Sequence, residues 1–243
     1  MGLEMSLDYR LRWLDFDRYG RLRPETILDI FQDVATMHAE SLGTGRDDML
    51  EHGVVWVVVR MKYEVVREPE HFQVVTARTW PHTLTNFSFM RDYELLDEAG
   101  DILVRASSEW VLMNLETRRF VKMKSLYDGP TDFVADRSFD GKMRKVPSFD
   151  EDNRPVYEVM PTNSDIDLNG HVNNARYTNF IVDALDPDER GSVRTFQIDY
   201  RHEAFPGEPL LVHSRVEEGR VLLKGIRPDG NASFACIIEL REE

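Results

Sequence analysis

Residues 165–174, with the sequence DIDLNGHVNN, bring together side chains that can bind and transfer protons. Asp167, Asn169 and His171 occupy alternate positions, and alternate side chains of an extended loop share one face. Glu203 lies at the end of a strand-like run, RTFQIDYRHE, where its carboxylate can hydrogen-bond a water molecule and act as a general base. The spacing predicts a site built from these four residues, but it does not specify a reaction.

Each of the four residues also has a purely structural interpretation. Asp167 can cap the helix that is expected to follow it, and Asn169 can form an Asx-turn. His171 would then be a polar group at the start of that helix, and Glu203 would be a solvated charge in a loop. Spacing alone leaves these interpretations open.

The same stretch resembles the first half of a calcium-binding loop, because Asp165, Asp167 and Asn169 alternate and Gly170 stands sixth. An EF-hand loop requires a glutamate at the twelfth position, which is Arg176 here. The loop should also follow a helix, whereas the preceding RPVYEVMPTNS contains two prolines and a strand-like run. The sequence therefore argues against calcium and leaves a catalytic loop or an ordinary turn.

Composition excludes several classes of function. The 243 residues carry a net charge of −14, which argues against non-specific binding to nucleic acid. No apolar run approaches the ~20 residues that cross a bilayer, and residues 1–10 lack the apolar core of a secretory signal. Cys236 is the only cysteine, which excludes an intrachain disulfide and fits a reducing compartment. We therefore expect a cytoplasmic protein with no membrane partner.

Periodicity predicts a helix followed by a run of strands, twice along the chain. The first helix starts at Pro24 and ends at Gly43 and Gly45, and the second carries Tyr177 on its apolar face. The predicted strands are residues 54–66, 72–80, 86–96, 102–115, 193–201, 209–217, 220–227 and 232–240. This order indicates an α+β fold in which each helix packs against an antiparallel sheet. We predict domains at residues 1–125 and 155–243, joined by a linker at 126–154.

The two halves show traces of an internal repeat. The DFDRYG stretch aligns with DIDLNG, so that three pairs match: Asp15 with Asp165, Asp17 with Asp167, and Gly20 with Gly170. Further on, Tyr63 and Pro69 have the same spacing as Tyr200 and Pro206. We interpret these matches as a duplication.

The repeat also shows where the halves differ. In this alignment the counterparts of the candidate site residues are Tyr19 for Asn169, Arg21 for His171 and Val66 for Glu203. A turn with only a structural role would not need this asymmetry. The comparison therefore favours chemistry in the second half.

The stretches DIDLNGHVNNARYTNFIVDAL and DYRHEAFPGE resemble the acyl-acyl carrier protein (acyl-ACP) thioesterases of plants and bacteria. The upstream HAESLGTGRDDMLEHGVVWVVVRMKYEVVREP looks like the first hotdog domain of that family. The resemblance implies two tandem hotdog domains, each a helix wrapped by a curved antiparallel β-sheet. It also implies hydrolysis of a fatty acyl-ACP thioester to free fatty acid and acyl carrier protein, with no metal and no organic cofactor.

Carried over by position, the catalytic residues of the family fall on Asp167, Asn169, His171 and Glu203. The implied mechanism has Glu203 activate water with help from His171. Asn169 orients the carbonyl or the water, Asp167 holds its neighbours, and backbone N–H groups of residues 171–173 receive the oxyanion. Plant members have a cysteine directly after the glutamate, where this chain has Ala204, and this difference favours Glu203 acting with water.

The resemblance further implies an acyl chain bound between helix and sheet. Candidate pocket residues, each of which also fits an ordinary core, are Trp56, Met61, Trp80, Phe87, Phe89 and Met90.

The implied partner, acyl carrier protein, is strongly acidic, and one stretch of this acidic chain is basic enough to bind it. Its basic residues are Arg118, Arg119, Lys122, Lys124, Arg137, Lys142, Arg144 and Lys145, against Asp128, Asp132, Asp136 and Asp140. A solvated loop of mixed charge is the alternative interpretation.

Two other classes of function remain open. One is a related hotdog enzyme that acts on acyl-CoA, either as a thioesterase or as a hydratase. The other is an acyl-binding module without catalysis, against which the complete set of four site residues argues. The sequence does not determine chain-length preference or oligomeric state, and a homodimer is compatible with it.

Overall fold

The computed structural model describes residues 3–123, 126–127, 133, 136–139, 143–150, 154–185 and 193–241. Its helices are α1 (Pro24–Ser41), α2 (Arg46–Glu51) and α3 (Tyr177–Ala184). Its strands are β1 (Met5–Arg10), β2 (Val54–Val65), β3 (Val74–Leu84), β4 (Phe89–Leu96), β5 (Ile102–Asn114), β6 (Phe120–Val121), β7 (Tyr157–Val159), β8 (Val193–Tyr200), β9 (Leu210–Glu217), β10 (Arg220–Ile226) and β11 (Ala232–Leu240). The chain forms two compact units, Met1–Phe16 with Asp29–Met143, and Asp17–Leu28 with Arg144–Glu243.

The first unit contains an antiparallel sheet in the order β1-β3-β4-β5-β2, with β6 added to β5. Apolar residues of α1 recur at helical spacing, and Pro24 suits the first helical position because it lacks an N–H to satisfy. Phe31 of α1 is buried and its ring lies 5.0 Å from that of Tyr93 in β4. Burial of this apolar stripe therefore holds the helix on the sheet.

The second unit contains an antiparallel sheet in the order β8-β11-β10-β9-β7. Helix α3 buries Tyr177, Phe180 and Ile181. The Tyr177 ring lies 5.7 Å from the ring of Phe234 in β11 and 5.7 Å from that of Tyr200 in β8. Each unit thus packs helical residues against an antiparallel sheet, and the α+β prediction is confirmed.

The eight long strands and α1 lie where periodicity predicted them, and α3 contains the predicted apolar face with Tyr177. Helix α2 was not predicted, because Gly43 and Gly45 were taken as the end of helical structure. Gly43 has a positive φ of 67° and ends α1, whereas Gly45 caps α2 and its N–H donates to Asp48 Oδ2 at 2.9 Å. Two glycines in close succession therefore separate two helices.

Several described residues of the predicted linker at 126–154 are bound to the sheets. In the first unit the N–H of Ser138 donates to Asp92 Oδ2 at 2.8 Å. In the second unit the N–H of Val146 donates to Asp199 Oδ2 at 2.9 Å, and Gln197 Nε2 donates to the carbonyl of Arg144 at 2.6 Å. Lys124, Asp128, Asp132, Asp140 and Lys142 of the basic stretch lie outside the described residues.

The loops that precede α1 and α3 repeat the same backbone hydrogen bonds. Gly20 donates to the carbonyl of Asp17 at 3.1 Å, and Gly170 donates to that of Asp167 at 3.0 Å. Both glycines have positive φ, 74° and 82°, which favours glycine at this position. The predicted repeat is therefore present in the backbone, and it aligns Tyr177 with Ile27.

The structure corrects the second part of the repeat alignment. At the end of β2 the carbonyl of Leu103 accepts the N–H groups of Val66 and Arg67, as the carbonyl of Ser233 accepts those of Arg201 and His202 after β8. Seven residues beyond each strand end, the backbone takes a positive φ, 63° at Phe72 and 79° at Gly207. This register aligns Glu203 with Glu68, Ala204 with Pro69, and Ser233 with Leu103. The prediction that Val66 is the counterpart of Glu203 was wrong, because Pro69 was matched to Pro206.

Candidate active site

The loop before α3 begins with a single 3-10 turn, Asn163–Asp165. Asp165 holds this turn with both its side chain and its backbone. Its Oδ2 accepts the N–H of Thr162 at 2.7 Å, and its carbonyl accepts the N–H of Asn173 at 2.8 Å. Asp165 therefore has a structural role in fixing the two ends of the loop.

Asp167 and Asn169 contact each other within the loop. Asp167 Oδ1 accepts the backbone N–H of Asn169 at 2.8 Å, and Asn169 Nδ2 donates to Asp167 Oδ2 at 3.3 Å. The first contact recurs in the first repeat between Asp17 and Tyr19, also at 2.8 Å. The second requires an amide side chain, so it is specific to the second repeat.

The expectation that residues 167–171 form an extended loop was wrong. The N–H of Asp167 donates to the carbonyl of His171 at 3.1 Å, which closes a turn around Gly170. Asn169 is exposed at this turn, and Leu168 beside it is 93% exposed. Turn geometry, rather than strand alternation, therefore sets the directions of the side chains.

His171 and Glu203 face each other. His171 Nε2 lies 3.8 Å from Glu203 Oε1, and the two side chains are 20% and 32% exposed. His171 Nδ1 lies 3.2 Å from the carbonyl of Val172, which accepts a hydrogen bond only if Nδ1 carries the proton. In the neutral ring Nε2 is then the basic nitrogen, directed towards Glu203 and beyond direct hydrogen-bond distance from it.

Helix α3 starts later than predicted. It begins at Tyr177 rather than beside His171, and a turn precedes it. The N–H of Val172 donates to the carbonyl of Ala204 at 2.9 Å, and that of Asn173 donates to Asp165. The expectation that these two N–H groups receive an oxyanion was therefore wrong, because both already have protein acceptors.

Arg176 and Cys236 have structural surroundings. Arg176, at the position where a calcium loop has glutamate, forms an ion pair with Glu25, which also accepts a hydrogen bond from Asn179 Nδ2 at 2.7 Å. Among the described residues no group of three His, Cys, Asp or Glu side chains is arranged to hold a metal. Cys236 is fully buried in β11, and this burial raises the pKa of its thiol.

Two side chains close to Glu203 were not predicted as part of the site. Tyr177 was expected as a packing residue of the helix, and Ser233 was predicted only as part of a strand. Both are buried, and the Tyr177 hydroxyl accepts the N–H of Ala204 at 3.1 Å. No spacing rule could reveal them, because they contact the residues that flank Glu203 only after the helix packs on the sheet.

The candidate pocket residues separate into different surroundings. Phe89 and Trp56 lie in one apolar cluster of the first unit, with ring centroids 5.9 Å apart. Trp80 instead donates from Nε1 to the carbonyl of Asp136 at 2.9 Å, and the Arg78 guanidinium lies over its ring. The acyl pocket remains a prediction. The apolar surroundings of Phe89 and Trp56 fit such a pocket better than the polar contacts of Trp80 do.

Among the described residues no helix combines the length and the apolar character needed to span a bilayer.

Comparison with known proteins identifies the family. The family model described as Acyl-ACP thioesterase N-terminal domain matches residues 2–127, and the C-terminal domain model matches residues 149–238. The fold aligns with a crystal structure of an acyl-ACP thioesterase from Bacteroides thetaiotaomicron with a TM-score of 0.90, over 98% of each chain and at 22% identity.

Two plant relatives illustrate the similarity in sequence. The chain is 28% identical over 237 residues to the chloroplastic oleoyl-acyl carrier protein thioesterase of Coriandrum sativum. It is 31% identical over 216 residues to the chloroplastic palmitoyl-acyl carrier protein thioesterase of Arabidopsis thaliana. These matches cover 87% and 83% of this chain, but only 63% and 52% of those relatives. The tandem hotdog fold is thereby confirmed, and the chain belongs to the acyl-ACP thioesterase family.

Proposed function

We propose that this chain hydrolyses fatty acyl-ACP thioesters, releasing the free fatty acid and acyl carrier protein. The observation that carries the proposal is the pair formed by His171 and Glu203, an imidazole nitrogen and a carboxylate oxygen 3.8 Å apart beside an exposed amide. Family membership and the names of the relatives support an acyl-ACP substrate. The cytoplasm, which the single buried cysteine supports, is the compartment that we propose.

In the proposed mechanism Glu203 accepts a proton from water as the water oxygen attacks the thioester carbonyl. The gap of 3.8 Å leaves His171 Nε2 and Glu203 Oε1 each able to bind the same water molecule. The C–S bond then breaks, and the thiolate takes the proton to become the carrier-protein thiol. The balance is one thioester and one water converted to one carboxylic acid and one thiol.

Asp167 and Asn169 have positioning roles in this proposal. Asn169 donates one amide proton to Asp167 Oδ2, which fixes the orientation of its amide. The second proton and the oxygen of the Asn169 side-chain amide then point away from Asp167. In that position they can bind the substrate carbonyl or the attacking water. Asp167 acts through Asn169 rather than on the substrate.

The test is release of free fatty acid from a chain-length series of acyl-ACP thioesters, with the matching acyl-CoA series in parallel. We expect turnover that is faster with acyl-ACP and is lost in Glu203→Gln. Preference for acyl-CoA would support the related CoA thioesterase instead, and hydration of an enoyl thioester would support a hydratase. Binding without release of fatty acid from any thioester would overturn the proposal in favour of an acyl-binding module.

A further inference from the structure

The two residues on either side of Glu203 are held by one buried series of hydrogen bonds. The N–H of Ala204 donates to the Tyr177 hydroxyl oxygen at 3.1 Å, and that hydroxyl lies 3.1 Å from Ser233 Oγ. Ser233 Oγ donates to the carbonyl of His202 at 2.7 Å. The series therefore starts on the residue after Glu203 and ends on the residue before it.

The direction of each proton in this series is determined by its ends. Ser233 has one hydroxyl proton, which goes to His202, so Ser233 Oγ must accept the proton of Tyr177. Burial raises the pKa of Tyr177, which keeps this hydroxyl protonated. Tyr177, Ser233 and Ala204 are 3%, 1% and 0% exposed, and hydrogen bonds in such surroundings strengthen one another.

The same series reaches the histidine. The carbonyl of Ala204 accepts the N–H of Val172, the residue directly after His171, at 2.9 Å. Ala204 therefore fixes the backbone beside both facing side chains, through its N–H on one side and its carbonyl on the other.

The first repeat shows that the fold does not need this series. The counterparts in the first repeat are Pro69 for Ala204, Ile27 for Tyr177 and Leu103 for Ser233. Proline has no N–H, and the other two side chains have no hydroxyl, yet the strand end and the following turn keep the same backbone hydrogen bonds. The series of hydrogen bonds is therefore a feature of the repeat that contains His171 and Asn169, and not of the first repeat.

We propose that Tyr177 and Ser233 are positioning residues that hold the Glu203 carboxylate opposite His171. The inference rests on the proposed function of Glu203 as the base. Neither side chain touches the substrate, and both act through the backbone of the residues that flank Glu203.

The test is the substitution Tyr177→Phe, which removes the hydroxyl and retains the ring contacts with Phe180 and Phe234. We expect kcat for the preferred acyl-ACP to fall by about 10-fold, with KM unchanged, because misplacement of a reacting group costs rate rather than binding. Ser233→Ala should have a similar effect. The matched control is Tyr93→Phe, which removes a buried tyrosine–serine hydrogen bond of 2.9 Å in the first unit.

A double-mutant cycle separates positioning from general loss of stability. In a Glu203→Gln background, Tyr177→Phe should leave the residual kcat within about 2-fold, because the carboxylate it positions is absent. An equal loss in both backgrounds, or a loss matched by Tyr93→Phe, would overturn the inference. An unchanged kcat in folded Tyr177→Phe would overturn it too. The proposed function fails separately, if the wild-type chain releases no fatty acid or if Glu203→Gln retains full activity.

Discussion

Glu203 is not distinguished from the first repeat by its charge, because its structural counterpart is Glu68. The difference lies in the polar loop, where Asn169 and His171 replace Tyr19 and Arg21. An arginine remains protonated in proteins, whereas a neutral imidazole offers a basic nitrogen at physiological pH. The second repeat is therefore the one suited to removing a proton from water.

Glu203→Gln should lower kcat by about 100-fold or more, because the amide cannot accept a proton from water. Folding should be retained, since the side chain is half-buried and of nearly the same size. The measurement is kcat on the preferred acyl-ACP, together with the melting temperature. Glu68→Gln is the matched control, and it should keep kcat near that of the wild type. Near-normal kcat in folded Glu203→Gln would remove this residue from the mechanism.

Cys236→Ala should retain most of the activity, because the thiol is fully buried and burial raises its pKa well above the ordinary value. The wild-type thiol should react with iodoacetamide only after denaturation. The measurements are kcat and the extent of alkylation of the native protein. Loss of turnover in the variant, together with rapid inactivation of the native wild type by the reagent, would indicate a cysteine nucleophile instead.

At the residue scale, the sequence identified the side chains that face each other but not what holds them. His171 could be found because its counterpart in the first repeat is Arg21, whereas Glu203 was found through the family resemblance, because its counterpart Glu68 carries the same charge. Tyr177 and Ser233 have no such signal, since a tyrosine on a helix and a serine in a strand are ordinary core-edge residues. The register of Glu203 was also hidden, because the similar spacing of Pro69 and Pro206 suggested a different alignment from the one that the backbone hydrogen bonds show.

At the scale of elements, the long strands and the strand-like run that forms β7 were predictable, whereas β1, β6 and α2 were not. Long segments rich in apolar residues and bounded by turn residues are a strong signal, as in β5 and β11. Strand β1 has no fully buried face, so its six residues alternate only between intermediate and exposed. The contacts that bind Ser138 and Val146 to the sheets were also unpredictable, because they use backbone groups of a segment without periodicity.

Burial of the Asp92 carboxyl in β4 should make stability depend on pH. Burial raises the pKa of Asp92 from its ordinary value of 3.8 to about 6, so the folded chain binds this proton more tightly than the unfolded chain. The stabilisation from this proton is fully present below pH 3.8 and is lost as pH rises through about 6. Urea unfolding across this range measures it as a decrease in the free energy of unfolding.

Asp92→Asn should flatten that part of the pH dependence, because the amide oxygen can still accept the N–H of Ser138 but no longer titrates. Asp47→Asn, at a side chain that is 90% exposed, is the control and should leave the profile unchanged. If wild type and Asp92→Asn lose stability in parallel over the same pH range, the dependence comes from other groups.

At the scale of the whole molecule, charge is unevenly distributed. The chain has a net charge of −14, so an acidic carrier protein would be repelled at long range. Productive docking then needs a local basic surface, which complements the partner and sets its orientation. Arg144 and Lys145 are exposed, and the backbone around them is fixed by Gln197 and Asp199. Their charges are therefore presented on an ordered part of the chain.

Reversing both charges, in Arg144→Glu with Lys145→Glu, should raise KM for acyl-ACP by about 3-fold or more at low salt, with kcat on a small thioester unchanged. The increase should shrink as salt rises, because exposed charges are screened over ~8 Å at physiological ionic strength. Arg10→Glu with Arg46→Glu changes the net charge equally at exposed positions outside the basic stretch, and should raise KM much less. Equal increases in the two double variants would show that only net charge matters. An unchanged KM in Arg144→Glu with Lys145→Glu at low salt would show that these two side chains do not contact the carrier protein.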